Sequence, residues 1–342
     1  MAVINITPLT DITALIASDS VNEGDVILLE EGTYFQTVLI PKNNIRLVAK
    51  GPKVIFDGRS TLVAAFILTN VTGVAIEGMH IKHYRVTGIE IDGGSGNRLI
   101  KNKISNILNI GILISDSGRN LIWNNEISRC GDGILLISEG SSNNWIIDNT
   151  VKECYDDGFE AVSATLSSNA FIANKAIKNR FTGFDIFGNN NLFLNNTSTD
   201  NNQGMLLNAG SSSVAIGNEI KGSKVDGYVV NFGCINHFAG ENRSECNRLA
   251  GIFDQGENGM FLNNEVSYNS NSGFFLVSTG SLIKDNKLIC NIPQNINDIG
   301  SDNSLINNKE KPCEPCESPG EVCDTCFDKK ADNSDCLKGR CE

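Results

Sequence analysis

Long apolar runs, basic residues and proline are what this sequence has least of. No stretch of about 18 apolar residues occurs, which excludes a membrane-spanning helix. The opening segment, Met1 to Ser20, has no basic region followed by a continuous apolar one, so no secretory leader is expected. Lys and Arg total 28 against 40 Asp and Glu, and the net charge of −12 argues against a nucleic-acid partner. It leaves room for a polyanionic substrate if a divalent metal bridges the two. Proline is confined to 7 positions, whereas glycine reaches 33 and asparagine 44 in 342 residues. At 40% hydrophobic and 20% charged the composition is globular, and the length exceeds the usual single domain of roughly 100–200 residues. The asparagine excess therefore means either disorder or one backbone position that needs Asn again and again.

The asparagines keep time. An apolar residue, any residue, then Asn recurs at Asn102, Asn125, Asn149, Asn174, Asn196, Asn218, Asn264 and Asn308, with Asn242 and Asn286 in the same phase on weaker flanks. Glycine keeps the same period at Gly88, Gly111, Gly133, Gly158, Gly183, Gly204, Gly227, Gly251 and Gly273. Asparagine steps of 22–25 residues and glycine steps of 21–25 mark a repeat architecture of about 22–25 residues per coil. No repeat contains an apolar run long enough for the helical return of a leucine-rich repeat. Each holds three short apolar pieces instead, such as Leu99-Ile100, Ile104 and Ile110 to Ile114. Three short strands per turn, stacked on their neighbours, make an all-β parallel solenoid, and ten Asn-marked coils rise to roughly 45 Å. Asn tolerates the left-handed backbone of a tight corner, and its amide can bond up and down the stack, so the clocked asparagines are assigned to corners rather than to an active site.

With the opening Gly24-Asp25-Val26-Ile27-Leu28 and Glu31-Gly32-Thr33-Tyr34, this pattern resembles the right-handed single-stranded parallel β-helix superfamily of the pectate-lyase type over most of residues 21–308. The resemblance implies an N-terminal cap and opening coils over 1–60 and the β-helix over 61–308, and the abrupt change of composition after Asn308 sets off a Cys-rich tail over 309–342. Asp11 to Ser18, apolar at Ile12, Leu15 and Ile16, is expected to form the short amphipathic helix that closes the open end.

The second residue after each clocked glycine points outward, giving a column that reads Glu90, Leu113, Leu135, Glu160, Asp185, Leu206, Val229, Phe253, Phe275. The turns before the glycines add Asp132, Asp156 and Asp157. Acids on adjacent coils repel unless something neutralises them, and five in one patch suit a hard cation, calcium above all. The run Asp156-Asp157-Gly158-Phe159-Glu160, with Asp132 one coil earlier, resembles the calcium site of family 9 pectate lyases. Carried over, the metal ligands are Asp132, Asp156, Asp157 and Glu160. The family's catalytic lysine in Gly-Phe-Lys is not matched, because Gly183-Phe184-Asp185 stands there. Arg180 and Asp185 are the remaining catalytic candidates, with Arg129 on the preceding coil. The Asn-Thr-Asp and Arg-Ile-Lys signatures of β-helix polygalacturonases and the Asp-Pro-His-Glu motif of uronate epimerases are absent, and His80, His83 and His237 form no cluster. Phe187, Phe253 and Phe275 lie at outward positions suited to stacking on sugar rings.

Residues 309–342 hold Cys313, Cys316, Cys323, Cys326, Cys336 and Cys341 and almost no apolar residues. Four readings stay open: zinc at the two pairs Cys313/Cys316 and Cys323/Cys326, a disulfide-stapled tail, disulfide-linked self-assembly, or a reduced, disordered tail. Cys130 and Cys154 fall in one column of adjacent coils and are expected to be small buried residues. Two functions follow: a non-catalytic polysaccharide-binding or structural surface protein cross-linked by its tail, or a calcium-dependent polyuronate lyase acting by β-elimination. Neither needs a membrane or nucleic acid. The expected location is a spore, cell surface or virion particle, or else the cytoplasm.

Overall fold

A computed structural model describes residues 1–313. The chain winds through three parallel sheets of 14, 12 and 13 strands, and each coil adds one strand to each sheet. One coil runs through Arg98–Ile100 in the fourteen-stranded sheet, Lys103–Ser105 in the thirteen-stranded sheet and Ile110–Ser115 in the twelve-stranded sheet. The register is regular: Leu99 pairs with Ile122, Ile104 with Ile127, and Ile112 with Ile134. These central residues are fully buried and stack into an interior of aliphatic columns. Aromatic pairs continue the columns, with Phe159 on Phe184 at 4.6 Å and Phe171 on Phe193 at 5.2 Å, both nearly parallel. The spacing of the rings is close to that of the coils themselves.

The asparagine clock is an internal hydrogen-bond ladder. The main-chain amide of Asn125 donates to Asn149 Oδ1 at 2.9 Å, while its Nδ2 donates to the same oxygen and to the Leu99 carbonyl, each at 2.9 Å. The same motif continues down the stack to Asn308. The clocked residues do not occupy the left-handed backbone expected of them. The residue before each does: Lys101, Asn124, Asp148 and Ala173 have φ of 52–54°. The corner and the amide ladder are thus adjacent positions. Two further ladders lie beside the first, through Asn97, Asn120, Asn144, Asn169 and through Asn247, Asn269, Asn291. The glycine clock is steric. A Cβ on Gly111, Gly133 or Gly158 would come within 2.6 Å of the carbonyl oxygen of the next glycine in the column, a contact no side chain tolerates.

The expected N-terminal helix is Ile12–Ala17, capped by Asp11, whose carboxylate accepts from the Ala14 amide at 3.0 Å. Ile12 and Ile16 are fully buried in the same core as the coils. No helix among the described residues is long and apolar enough to cross a membrane. Cys130 and Cys154 are buried free thiols, as their shared column implied. Cys313 bonds to Cys290, joining the last two coils across 23 residues. Its partner therefore comes from the solenoid rather than from the other tail cysteines. Cys316, Cys323, Cys326, Cys336 and Cys341 lie outside the described residues.

The outer surfaces of the three sheets differ. Outward positions of the thirteen-stranded sheet carry cross-coil ion pairs such as Lys152–Glu126, Lys221–Glu245 and Lys287–Glu265. Those of the twelve-stranded sheet carry the acids. Those of the fourteen-stranded sheet are apolar over much of its length.

Candidate functional site

The outward column of the twelve-stranded sheet has the register that the glycine period predicts. Glu90 pairs with Leu113, Leu135 with Glu160, Glu160 with Asp185, Asp185 with Leu206, and Phe253 with Phe275. Around Glu160 the column meets the acidic turns. Asp132 opens the strand Asp132–Ile137, and Asp156 and Asp157 precede Phe159–Ala161 on the following coil. The Asp157 amide donates to Asp132 Oδ1 at 3.2 Å, and the Thr182 amide donates to Asp157 Oδ1 at 2.5 Å. These bonds fix both carboxylates across three coils. One oxygen each from Asp132, Asp157 and Glu160 then lie within 4.8 Å of one another.

The four predicted ligands are therefore not equivalent. Asp157 is buried, Asp132 and Glu160 are half-buried, and Asp156 is exposed and outside the converging trio. Asp156 stands in the bend before the strand and contributes no oxygen to the converging trio.

Burial raises the proton affinity of every member, and neighbouring carboxylates add to it. Burial, with the neighbouring carboxylates Asp132, Asp157 and Asp185, pushes Glu160 up to about 8. Burial pushes Asp157 up to about 7, against the Thr182 amide and with help from the charges of Asp185, Asp156 and Asp132. Asp132 rises to about 6, mainly through burial, partly offset by the Asp157 amide and reinforced by Asp156. Asp185 also rises to about 6 through burial, held back by a hydrogen bond from Asn208 Nδ2. A set of oxygen donors that cannot all ionise together is one that a divalent cation would complete.

Arg180 is exposed, with its guanidinium 6.0 Å from the Phe181 ring, and makes no ion pair with the acids among the described residues. Arg129 is likewise exposed, in a left-handed turn. Asp185 faces the cluster from the next coil. Phe253 and Phe275 stack at 5.0 Å with a 12° interplanar angle. They stand three and four coils beyond Asp185, roughly 14–19 Å along the stack. Phe187 does not join them; it ends the strand Thr182–Phe187 that carries Asp185. Asn208 and Asn231 were not foreseen in the sequence. Asn231 Nδ2 donates to Asn208 Oδ1 at 2.8 Å, and Asn208 in turn donates to Asp185, so a polar rail leads away from the acids. Their signal was the outward column two residues on from Asp185, in which Phe187 pairs with Asn208 and Asn231 follows one coil later.

Residues 54–169 and 160–292 match the model of the right handed beta helix region family, and the chain belongs to that family. No curated protein sequence matches it. Among solved structures, the chain is similar to tailspike protein 3 of bacteriophage CBA120 at 11% identity and a TM-score of 0.55, covering 83% of this chain and 56% of the tailspike. The chain thus spans little more than half of that protein's length. It is also similar to the A-module of mannuronan C-5 epimerase AlgE6 of Azotobacter vinelandii (14% identity, TM-score 0.56, 89% of this chain and 95% of that one). Pectate lyase Pel9A gives 18% identity and a TM-score of 0.53, covering 90% of this chain and 79% of that one. At these identities the likeness is one of fold.

Proposed function

We propose that the protein binds an extended acidic polysaccharide along the outward face of the twelve-stranded sheet, through a calcium ion held by Asp132, Asp157 and Glu160. The observation that carries this reading is the convergence of those three carboxylate oxygens within 4.8 Å on a solvent-facing sheet. The donors are all oxygen, which suits a hard cation. When bound, calcium supplies positive charge to a face that would otherwise repel a polyuronate. The stacked pair Phe253 and Phe275, on the same column, offers a second contact for the apolar faces of sugar rings. Pectate lyase Pel9A and the mannuronan epimerase share this fold, which supports a polysaccharide ligand.

Binding without turnover is the preferred reading, because Asp185 stands where the resemblance calls for a lysine and none of the acids ion-pairs with a lysine or arginine among the described residues. A second reading is β-elimination by a polyuronate lyase. It is favoured by Glu160 and Asp185, neighbours in register whose carboxyls titrate near neutrality and so suit proton transfer.

One experiment separates the two. The protein is incubated with polygalacturonate, alginate and chondroitin, in calcium or in EDTA. Co-sedimentation reports binding, and ultraviolet absorbance reports unsaturated product. Calcium-dependent binding without product is expected. Product that vanishes in Asp157→Ala would replace this reading with the lyase. Neither binding nor product on any polyuronate would remove both.

A further inference from the structure

We infer that the outer face of the fourteen-stranded sheet is an interface on which a second copy of this chain docks. From Leu121 to Lys284 each strand of that sheet has three residues, the middle one buried in the core and the outer two directed away from it. From Leu121 and Trp123, through Ile147, Leu194 and Ile216, to Leu282, every outward position on successive strands is apolar. Charge returns only beyond the ends, at Arg98 on one side and Lys284 on the other. Trp145 and Met260 are 52% and 41% exposed.

The thirteen-stranded sheet is the internal comparison. It has the same strand length, coil period and solvent, yet its outward positions hold lysine, glutamate, arginine and threonine. The repeat therefore accepts polar residues at outward positions, and their absence from one sheet is a property of that surface. Among the described residues no segment covers it. Apolar patches of this extent on soluble proteins mark interaction sites.

Three arguments select a second copy. The first is size: eight strands from Leu121 to Leu282 span roughly 34 Å, about the width of a standard interface of roughly 800 Å² per partner. The second is shape. A flat sheet with two apolar columns is complementary to itself, and two such faces pack as sheets do inside proteins, about 10 Å apart, in an isologous contact. The third is charge. Two chains of −12 repel wherever their charged surfaces meet, so close approach is cheapest where neither carries charge. The tail does not fit the face, since residues 314–342 offer only Val322, Phe327 and Leu337 as large apolar side chains. A polysaccharide does not fit either, because its hydroxyls would meet no polar partner. The inference is independent of the acid site.

The chain supplies its own probe, because its two tryptophans, Trp123 and Trp145, both lie on this face. Sedimentation and tryptophan emission of the full chain are followed against concentration, at low and high salt. The expected result is a reversible dimer, tightened by salt, whose formation shifts emission to shorter wavelength and shields it from quenching. Leu194→Glu is expected to weaken the dimer roughly 100-fold or more, while Lys175→Glu on the thirteen-stranded sheet changes it little. Trp145→Gln at an exposed position gives a milder variant should Leu194→Glu not fold. Monomer at every concentration, or association that leaves emission and both face variants unchanged, would overturn the inference. Dimers that persist in denaturant until a reductant is added would replace it with covalent linkage.

Discussion

The amide of Asp157 donates to Oδ1 of Asp132 on the preceding coil at 3.2 Å. This bond ties the main chain of one coil to a side chain of another and brings two carboxylates to the same side as Glu160. What the stack gains in order at this point it loses in electrostatics, and that opposition can be measured.

Stability should fall as pH rises when divalent cations are absent. Asp157 and Glu160 are pushed up to about 7 and about 8 in the fold, from ordinary values of 3.8 and 4.5. The folded protein thus holds protons that the unfolded chain has released. This contribution is full below about pH 4 and is lost as pH rises through about 7 to 8. His237 acts in the opposite sense, because burial lowers its affinity below the ordinary 6.5 and acidification then favours the unfolded state. Thermal scans in EDTA from about pH 5 to about pH 8 should show a falling Tm for the native chain and a flatter profile for Glu160→Gln. A Tm that rises equally in both would contradict the packing of the acids.

Calcium should reverse that loss near pH 8, and its ligands should rank by convergence rather than by sequence. Asp132→Asn, Asp157→Asn and Glu160→Gln are each expected to weaken calcium binding by at least about tenfold, or roughly 1.4 kcal/mol. Exposed Asp156→Asn should change it little. Calorimetric titration checks the order, and equal losses at Asp156 and Asp157 would mean that the ion sits farther out.

Ladder and corner positions should respond in opposite directions. Asn149→Ala strips partners from the Asn125 amide, the Asn125 side chain and the Ile122 carbonyl, all buried. Unsatisfied groups of this kind cost about 1–3 kcal/mol each, and a net loss of about 2–4 kcal/mol is expected. Ala173 sits at φ 54°, a conformation that disfavours side chains; Ala173→Gly should stabilise by up to about 1 kcal/mol. Chemical denaturation of the two variants tests the assignment, and the reverse order would refute it.

The aromatic pair should matter for glycan affinity and not for folding. Phe253→Ala and Phe275→Ala each remove one half of a stack on the outer surface. Each should reduce polyuronate retention severalfold, on the order of 1 kcal/mol, with circular dichroism unchanged. Unaltered retention in the double variant would take the pair out of the binding surface.

Much of this was legible because a solenoid repeats its geometry. Once Gly158 and Gly183 set the phase, the pairing of Glu160 with Asp185 followed by counting. Counting failed where one residue of offset changes the physics. The left-handed corner falls on Asn124 rather than Asn125, because the ladder amide needs an ordinary backbone to reach the next coil while the residue before it makes the bend. The same offset separates Asp156 from Asp157. Cys290 and Cys313 lie one period apart, as Cys130 and Cys154 do, so spacing alone did not tell the bonded pair from the free one. The apolar outer face was written in the sequence as residues flanking each inward one. It was masked because a strand apolar on both faces reads as a simple apolar run.

The hydrogen-bond ladder also makes distance along this molecule countable. Removing residues 197–218 would join Asn196 to Glu219, as Asn218 is joined now, and would leave Asn196 facing Asn242. The acids and the stacked phenylalanines would each survive intact, but about 4.8 Å nearer to one another. The stack is in that sense a ruler graduated in coils, and the spacing between its two outward features can be reset one graduation at a time to ask which length of ligand they measure.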